Sequence, residues 1–365
     1  MANISFKEGK FPVTFKTAQV LPLIKKAGLD RSQLANYRPI SNLNTISKLI
    51  ERLVLTRLRP QLMESHNFSK LQSAYRSGCS TETALLSVLD GIYQAIDSKQ
   101  AAVLVTLDLS AAFDTISHRT LLHRLEAEFG VTDTALAWLK SYLSDRRQFV
   151  KLGRHRSGSV LCDLGVPQGS VLGPLLFVTY VSPVSDNVTS AGLGFHQYAD
   201  DTQIYFAMRH ATASHDIDTL RICTERLRCW FLNNGLMLNP DKSEALLVGT
   251  RQQRQAVAVV GAVSVAGVDL PLSSELKSLG VIIDEQLSFE SHIRAVCRAC
   301  NFHLRALAHI RHLLPLSVAQ TIACSIVCSR FDYCNAVLQG ASKSSMLKLQ
   351  RVQNNLARIV LQLPH

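Results

Sequence analysis

Residues 195–206 read FHQYADDTQIYF. Aromatic and β-prone residues stand on both sides of Ala199-Asp200-Asp201-Thr202, so a hairpin with acidic residues in its turn is expected. Two adjacent carboxylates at one tip repel each other. Upstream, residues 103–109 read VLVTLDL, a nearly continuous apolar run that suits a strand buried on both faces. An aspartate inside such a strand is costly unless its charge is compensated. A divalent metal answers both problems. Mg²⁺ takes hard oxygen ligands and keeps waters or substrate phosphates for the rest of its shell. Two such ions close together activate a hydroxyl and clamp a leaving oxygen in phosphoryl transfer. The spacing predicts that strand-end Asp108 meets hairpin Asp200 and Asp201 on adjacent strands of one sheet. Taken singly, each reads as a cap or turn residue; the combination carries the metal reading.

The 365 residues suggest two or three domains, and 47% hydrophobic with 18% charged residues excludes a disordered chain. The net charge of +11 is uneven. Residues 1–60 carry +8, residues 291–365 carry +8, and the segment between them carries −5. Two basic ends around an acidic centre suggest an acidic partner such as nucleic acid. No signal peptide opens the chain, and the longest uncharged apolar run, 166–185, holds too many Pro, Gly and polar residues to span a membrane. Nine cysteines without a secretory signal favour a reduced compartment. Cys297 and Cys300 have C-x-x-C spacing near His303, but no second pair follows and the stretch reads as helix, so these read as buried or partly buried thiols. Neither G-x-x-x-x-G-K-[ST] nor G-x-G-x-x-G occurs, and no repeat is visible.

Working outward, residues 18–40 read as an extended pair, 18–25 and 35–40. Ile46, Leu49, Leu53 and Leu58 recur at helical spacing, which predicts a helix over 46–59 ended by Pro60. Residues 72–79 read as a polar turn, and Ser80 caps a helix with Leu85, Val88, Leu89, Ile92 and Ile96 on one face. Further helices are expected at 117–128, 133–143 and 214–232. Residues 165–173 form a Gly-rich loop leading into an apolar helix from about Val171, and 245–284 hold short β runs. A long helix is expected over 291–314. It carries Ile293, Val296, Cys300, Leu304, Leu307 and Leu314 on one side, and Arg294, Arg298, Arg305 and His312 on another.

At this point the sequence resembles a family: the reverse transcriptases of non-LTR (LINE-type) retrotransposons, in particular the jockey/CR1/L2-like group. FPVTFKTAQVLPLIKK (11–26) resembles the segment before the polymerase core. ANYRPISNLNTISKLIERLVLTRL (35–58) and LQSAYRSGCSTETALL (71–86) resemble its two fingers motifs. VTLDLSAAFDTISH (105–118) matches motif A, GVPQGSVLGPLLF (165–177) motif B and YADDTQIY (198–205) motif C. LNPDKSEALLVG (238–249) resembles motif D and LKSLGVIIDEQLSFESHI (276–293) motif E. The blocks stand in the family's order from about residue 9 to 363.

The resemblance implies an α+β right-hand polymerase fold with an antiparallel palm sheet, helical fingers and a partial helical thumb. The implied boundaries are 1–100 for the N-terminal extension and fingers, 101–285 for the palm with fingers insertions, and 286–365 for the partial thumb. It implies RNA-directed DNA polymerase activity with an RNA template, a DNA primer, dNTPs and two Mg²⁺ ions, Mn²⁺ being a substitute. Asp108, Asp200 and Asp201 are the implied metal ligands, with the Leu109 carbonyl as a backbone ligand. Phe113 falls where the family keeps its sugar gate, against a core-Phe alternative; Asp114 reads as structural. Gln168, Gly169 and Pro167 resemble the residues beside the incoming nucleotide. Arg38 and Lys25 or Lys26 fall where the triphosphate is gripped, the lysines reading equally as surface residues. Lys242 resembles the motif D lysine that protonates the leaving group, with a turn lysine as the alternative. Leu279 and Gly280 resemble the primer grip, Arg76 a template contact, and Arg294, Arg298 and Arg305 a phosphate-facing thumb surface.

Family members place an endonuclease ahead of the polymerase and run on past the position of LQRVQNNLARIVLQLPH (349–365), so the chain reads as clipped at both ends. Two rival readings remain: a catalytically idle element remnant that only binds nucleic acid, and a palm-like cyclase or two-metal phosphoesterase. The family implies nuclear and cytoplasmic ribonucleoprotein, although no localisation run is visible.

Overall fold

The computed structural model describes residues 1–257 and 261–363. Among them the strands are β1 (Thr17–Ile24), β2 (Tyr37–Asn42), β3 (Ala101–Ser110), β4 (Arg146–Leu152), β5 (His155–Arg156), β6 (Val160–Cys162), β7 (Gly194–Tyr198), β8 (Asp201–Met208), β9 (Met237–Val248), β10 (Ala262–Val265), β11 (Val268–Ser273), β12 (Glu275–Ser278) and β13 (Val281–Asp284). The central sheet runs β10-β11-β9-β3-β8-β7 and is antiparallel except at β11–β9.

The apolar run of β3 is buried on both faces, as its sequence predicts. Val103, Val105, Leu107 and Leu109 join a core closed by the helices His118–Ala127, Gly173–Val181 and Ala213–Asn233. Ala102 and Leu104 join a second core with the helices Thr81–Asp97 and Glu290–Ile310. Each fully buried Val or Leu contributes about 1.5–3 kcal/mol, so β3 tolerates a charge only near its end. Asp108 stands there.

A second sheet runs β2-β1-β4-β5, with β6 also paired to β4. Its β1–β2 hairpin is the extended pair expected over 18–40. β12 and β13 form a separate hairpin.

Four local expectations need correction. The helix expected to end at Pro60 runs from Thr45 to Glu64 with Pro60 inside it. Proline removes one intrahelical donor, but Leu58 and Leu62 are buried on either side and hold the next turn down. The expected apolar stripe of that helix also faces outward: Ile46, Leu49 and Leu53 are exposed, while Ser47, Ile50, Glu51, Leu58 and Leu62 are buried. The inward face is organised around a polar hub, described below. The long C-terminal helix stops at Ile310 and passes through a 3₁₀ turn, Arg311–Leu313, so Leu314 and His312 lie off it. Finally, the stretch 245–284 is not only short strands. β9 is twelve residues long and a short helix, Arg251–Ala256, follows it; residues 258–260 of that stretch lie outside the described residues. The other expected helices agree within two residues. Ser80 caps Thr81–Asp97 through a capping box with Thr83. Cys300 is buried in a third apolar cluster with Leu304, Leu307, Val352 and Leu356, and burial pushes its thiol up to about 11.

Candidate active site

The β3–β8 register ends with Leu107 paired to Thr202, and the next residues of the two strands, Asp108 and Asp201, line one cavity. On the other side Asp108 pairs with Asn239 of β9, beyond a register shift at Thr106/Asp108. Tyr198 pairs with Asp201 to close the β7–β8 hairpin, leaving Ala199 and Asp200 as its two-residue turn. Ala199 takes a left-handed φ of 57°. Burial pushes Asp201 up to about 6, and the charges of Asp200 and Asp108 add to it. Asp200 is raised for the same first cause and by Asp108, and Arg38 pulls it back down. The three carboxylates therefore share one field, with Arg38 at its edge.

Among the described residues no three His, Cys, Asp or Glu side chains already form a metal cage. The donor set still suits Mg²⁺, which takes one or two carboxylates and completes its shell with water and phosphate. Mutually destabilised carboxylates are the groups a hard cation relieves. Lys242 Nζ lies 3.7 Å from Asp108 Oδ2, with both side chains substantially exposed. An exposed pair of this kind is worth under about 1 kcal/mol. Thr106, Asp108, Asp201, Lys242, Glu244 and Lys277 surround a polar cavity of about 130 Å³ here.

The Gly-rich loop docks on β2. The Ser41 amide donates to the Gln168 carbonyl at 2.7 Å. Gly169 has φ +112°, and a Cβ there would come within 2.8 Å of the Ser41 carbonyl oxygen, so only glycine fits. Gln168 Nε2 donates to Asp114 Oδ2 at 2.7 Å. The half-buried Phe113 ring stacks on Phe177, centroids 4.5 Å apart. Arg38 is exposed on β2. Lys25 is engaged locally, donating to the Ala35 carbonyl at 2.8 Å at the far end of the β1–β2 hairpin, and Lys26 is exposed beside it.

Leu279 and Gly280, φ 46° and 85°, form the turn of β12–β13. Gln203 Nε2 donates to Ser278 Oγ at 3.1 Å, and the Tyr333 hydroxyl donates to the Leu279 carbonyl at 2.6 Å, so the turn is braced from two sides. Arg76 makes one long contact to the Lys70 carbonyl, 3.4 Å. Arg294 and Arg298 line a groove with Lys348 and Arg351, and Arg305 is exposed further along the same helix.

The family model described as Reverse transcriptase (RNA-dependent DNA polymerase) matches residues 24–283. The chain belongs to the reverse transcriptase family. The non-LTR resemblance is borne out by its relatives. The "Probable RNA-directed DNA polymerase from transposon X-element" of Drosophila melanogaster is 31% identical over 96% of this chain and 38% of its own length. The "RNA-directed DNA polymerase from mobile element jockey" of the same organism is 27% identical over 96% of this chain and 38% of its own length. The chain thus spans about two-fifths of the curated relatives it matches. A solved telomerase from Candida albicans, in complex with a fragment of telomeric RNA, superposes with TM-score 0.50 at 12% identity, covering 97% of this chain and 65% of that one. That likeness concerns the fold, a right-hand polymerase fold. No helix among the described residues is long and apolar enough to cross a membrane.

Within this reverse transcriptase fold the sequence reading missed two buried polar hubs. Glu51 is fully buried. Its carboxylate accepts from Ser47 Oγ (3.0 Å), the Tyr142 hydroxyl (3.2 Å) and the amides of Val171 (2.8 Å) and Leu172 (3.2 Å). It thereby caps the start of the motif B helix, Gly173–Val181. The available signal was Ser47 and Glu51 falling at helical spacing with Leu58 and Leu62. The second hub is Gln72, inside the stretch that reads as a polar turn.

His196 also lies here, buried on β7, with Nε2 2.9 Å from Ser73 Oγ and Nδ1 unpartnered. Burial lowers it to about 4. The unfolded chain takes up this proton as pH falls through about 6.5 and the folded chain does not until about 4, so stability falls across that window by at most about 1.4 kcal/mol per pH unit. The melting temperature of the protein is expected to drop more between pH 7 and pH 5 than that of His196→Gln. Equal drops would remove His196 from the acid response.

Proposed function

We infer that the chain is an RNA-directed DNA polymerase of the non-LTR retrotransposon type. It joins the α-phosphate of a dNTP to the 3′-hydroxyl of a DNA primer on an RNA template. The observation that carries this reading is the convergence of Asp108, Asp200 and Asp201 beside a loop, 165–173, moulded onto β2 at Gly169. In this reading residues 1–100 serve as N-terminal extension and fingers, 101–285 as palm with fingers insertions, and 286–365 as thumb.

In this reading Asp108, Asp200, Asp201 and the Leu109 carbonyl hold two Mg²⁺ ions, or Mn²⁺ in their place. Bound there, the metal supplies charge neutralisation and an activated 3′-hydroxyl. The protein's own groups do the rest. Arg38 supplies charged donors to the triphosphate, with Lys25 as a further contact from the hairpin tip. Gln168 and Gly169 bring backbone and side-chain polar atoms to the incoming nucleotide. Lys242 carries a proton that it delivers to the pyrophosphate oxygen as the bond breaks. Leu279 and Gly280 hold the primer end. Arg76, and Arg294, Arg298 and Arg305 on the C-terminal helix, meet nucleic-acid phosphates, an attraction that weakens steeply with salt.

The test is extension of a DNA primer on poly(rA) with dTTP and Mg²⁺. Extension that stops on chelation is expected. Binding of the primed template without any extension would replace this reading with that of a nucleic-acid-binding remnant. The Phe113 ring supplies a second prediction. In this reading the ring, held by its stacking on Phe177, is the sugar gate that excludes a ribose 2′-hydroxyl. Phe113→Val should raise incorporation of UTP relative to dTTP by about 10- to 100-fold, the scale of a 1.4–2.8 kcal/mol steric term. Unchanged sugar selectivity would leave Phe113 a core residue alone.

A further inference from the structure

We propose that Gln72 is a positioning residue of this polymerase: its buried amide clamps the turn that presents Asp200, and so ties the second fingers motif to the catalytic hairpin. The inference rests on the proposed function for what the turn does, and on the geometry alone for the clamp.

Gln72 is fully buried. Its Oε1 accepts from the Ala199 amide at 2.9 Å and from the Ala74 amide at 3.0 Å. Its Nε2 donates to the Ala199 carbonyl at 3.1 Å and to Gln197 Oε1 at 3.1 Å. The two donors and two acceptor positions of one amide are thus all used. Two of the four bonds fall on a single residue, Ala199, the left-handed residue of the turn. Alanine is disfavoured in that conformation, so something outside the turn must hold it there. Both of its backbone polar groups are removed from water, and one side chain satisfies them both.

The clamp reaches Asp200 from each side. The Ala199 carbonyl belongs to the peptide that enters Asp200. Gln197 Nε2 donates to Thr202 Oγ1 at 3.0 Å, and Thr202 Oγ1 donates to the Asp200 carbonyl at 3.3 Å. The backbone around Gln72 extends the edge of β7: the Gln197 amide donates to the Leu71 carbonyl and the Ser73 amide to the Gln197 carbonyl, each at 2.9 Å. Residues 71–73 therefore act as a short extra strand, whose buried Gln72 side chain grips the turn. The same segment carries Tyr75 and Arg76 at its exposed end. The Asp200 charge raises the Tyr75 hydroxyl after burial does, so that end also lies in the field of the carboxylates.

Gln72→Glu keeps the shape but turns both donors into acceptors facing the Ala199 carbonyl and Gln197 Oε1. Gln72→Met keeps the volume and removes all four bonds. In both variants kcat for primer extension should fall about 10- to 100-fold, the scale seen when an outer partner of a metal ligand is lost. The KM for dTTP and the affinity for primed template should change less than about threefold, because no contact to either is removed. Two readouts need no catalysis. Amide hydrogen exchange at residues 198–201 should quicken about tenfold or more while residues 103–107 keep their protection. Mn²⁺ binding to the protein alone, followed by electron paramagnetic resonance, should weaken about tenfold. Unchanged exchange at 198–201, or a loss of protection spread evenly through β3 and β8, would overturn the proposal. A wild type that extends no primer would overturn the polymerase reading instead, and the exchange and Mn²⁺ arms would still decide the clamp.

Discussion

Asp200→Asn is expected to lower primer extension by more than about 10²-fold while leaving the melting temperature equal or higher. Losing an outer partner of a metal ligand already costs about 10–100-fold, and a direct ligand costs more. The substitution removes the charge of the residue at the tip of the hairpin and keeps its shape. It also relieves the neighbours: Asp200 is the first charge, after burial, that raises Asp201. A carboxylate held above its ordinary value opposes folding at neutral pH, so deleting one such charge stabilises the apoprotein. Activity and stability should therefore move in opposite directions. Primer extension under single-turnover conditions and a calorimetric melt without metal measure the two. Equal extension by Asp200→Asn and the wild type would remove Asp200 from the chemistry, and a lowered melting temperature would show the charge to be structural.

Glu51→Ala is expected to cost about 3–5 kcal/mol of stability and to lower the melting temperature by roughly 5–15 °C. Truncation leaves the buried Leu172 amide and the part-buried Val171 amide, just ahead of Gly173–Val181, and two hydroxyls, of Ser47 and Tyr142, without their acceptor. Each orphaned group costs about 1–3 kcal/mol, and the losses do not add fully because the segment relaxes. Burial and the Glu51 charge push the Tyr142 hydroxyl upward, so it remains a donor throughout the physiological range. Glu51→Gln separates charge from shape. Its one carbonyl oxygen still serves the Val171 and Leu172 amides, and its loss should be less than half that of Ala. Because the capped helix starts four residues after Gly169, Glu51→Ala should also raise the KM for dTTP. A melting temperature within 2 °C of wild type would show that water replaces the carboxylate at no cost.

The molecule divides unevenly between what local sequence determines and what needs the whole fold. The apolar run of β3, the hairpin of β7 and β8, and the helices 81–97, 118–127 and 133–143 follow from periodicity, capping residues and turn chemistry, all of which act within a dozen residues. The carboxylates follow as well, because an aspartate in a buried strand and an acidic pair in a tight turn are local anomalies. The fate of Pro60 does not follow, since packing of Leu58 and Leu62 against distant residues outweighs a lost helical bond. Nor does the inward face of that helix, where a polar Glu51 displaces Ile46, Leu49 and Leu53 from the core. Sequence by itself therefore determined the β3 strand, the β7–β8 hairpin, their acidic centre and the order of the motifs. Only the tertiary structure decided that Gln72 grips Ala199 across 127 residues and Glu51 caps the motif B helix across 120. The physical reason is that buried polar side chains must find partners wherever the fold brings them, and hydrophobic periodicity carries no record of which partner that is.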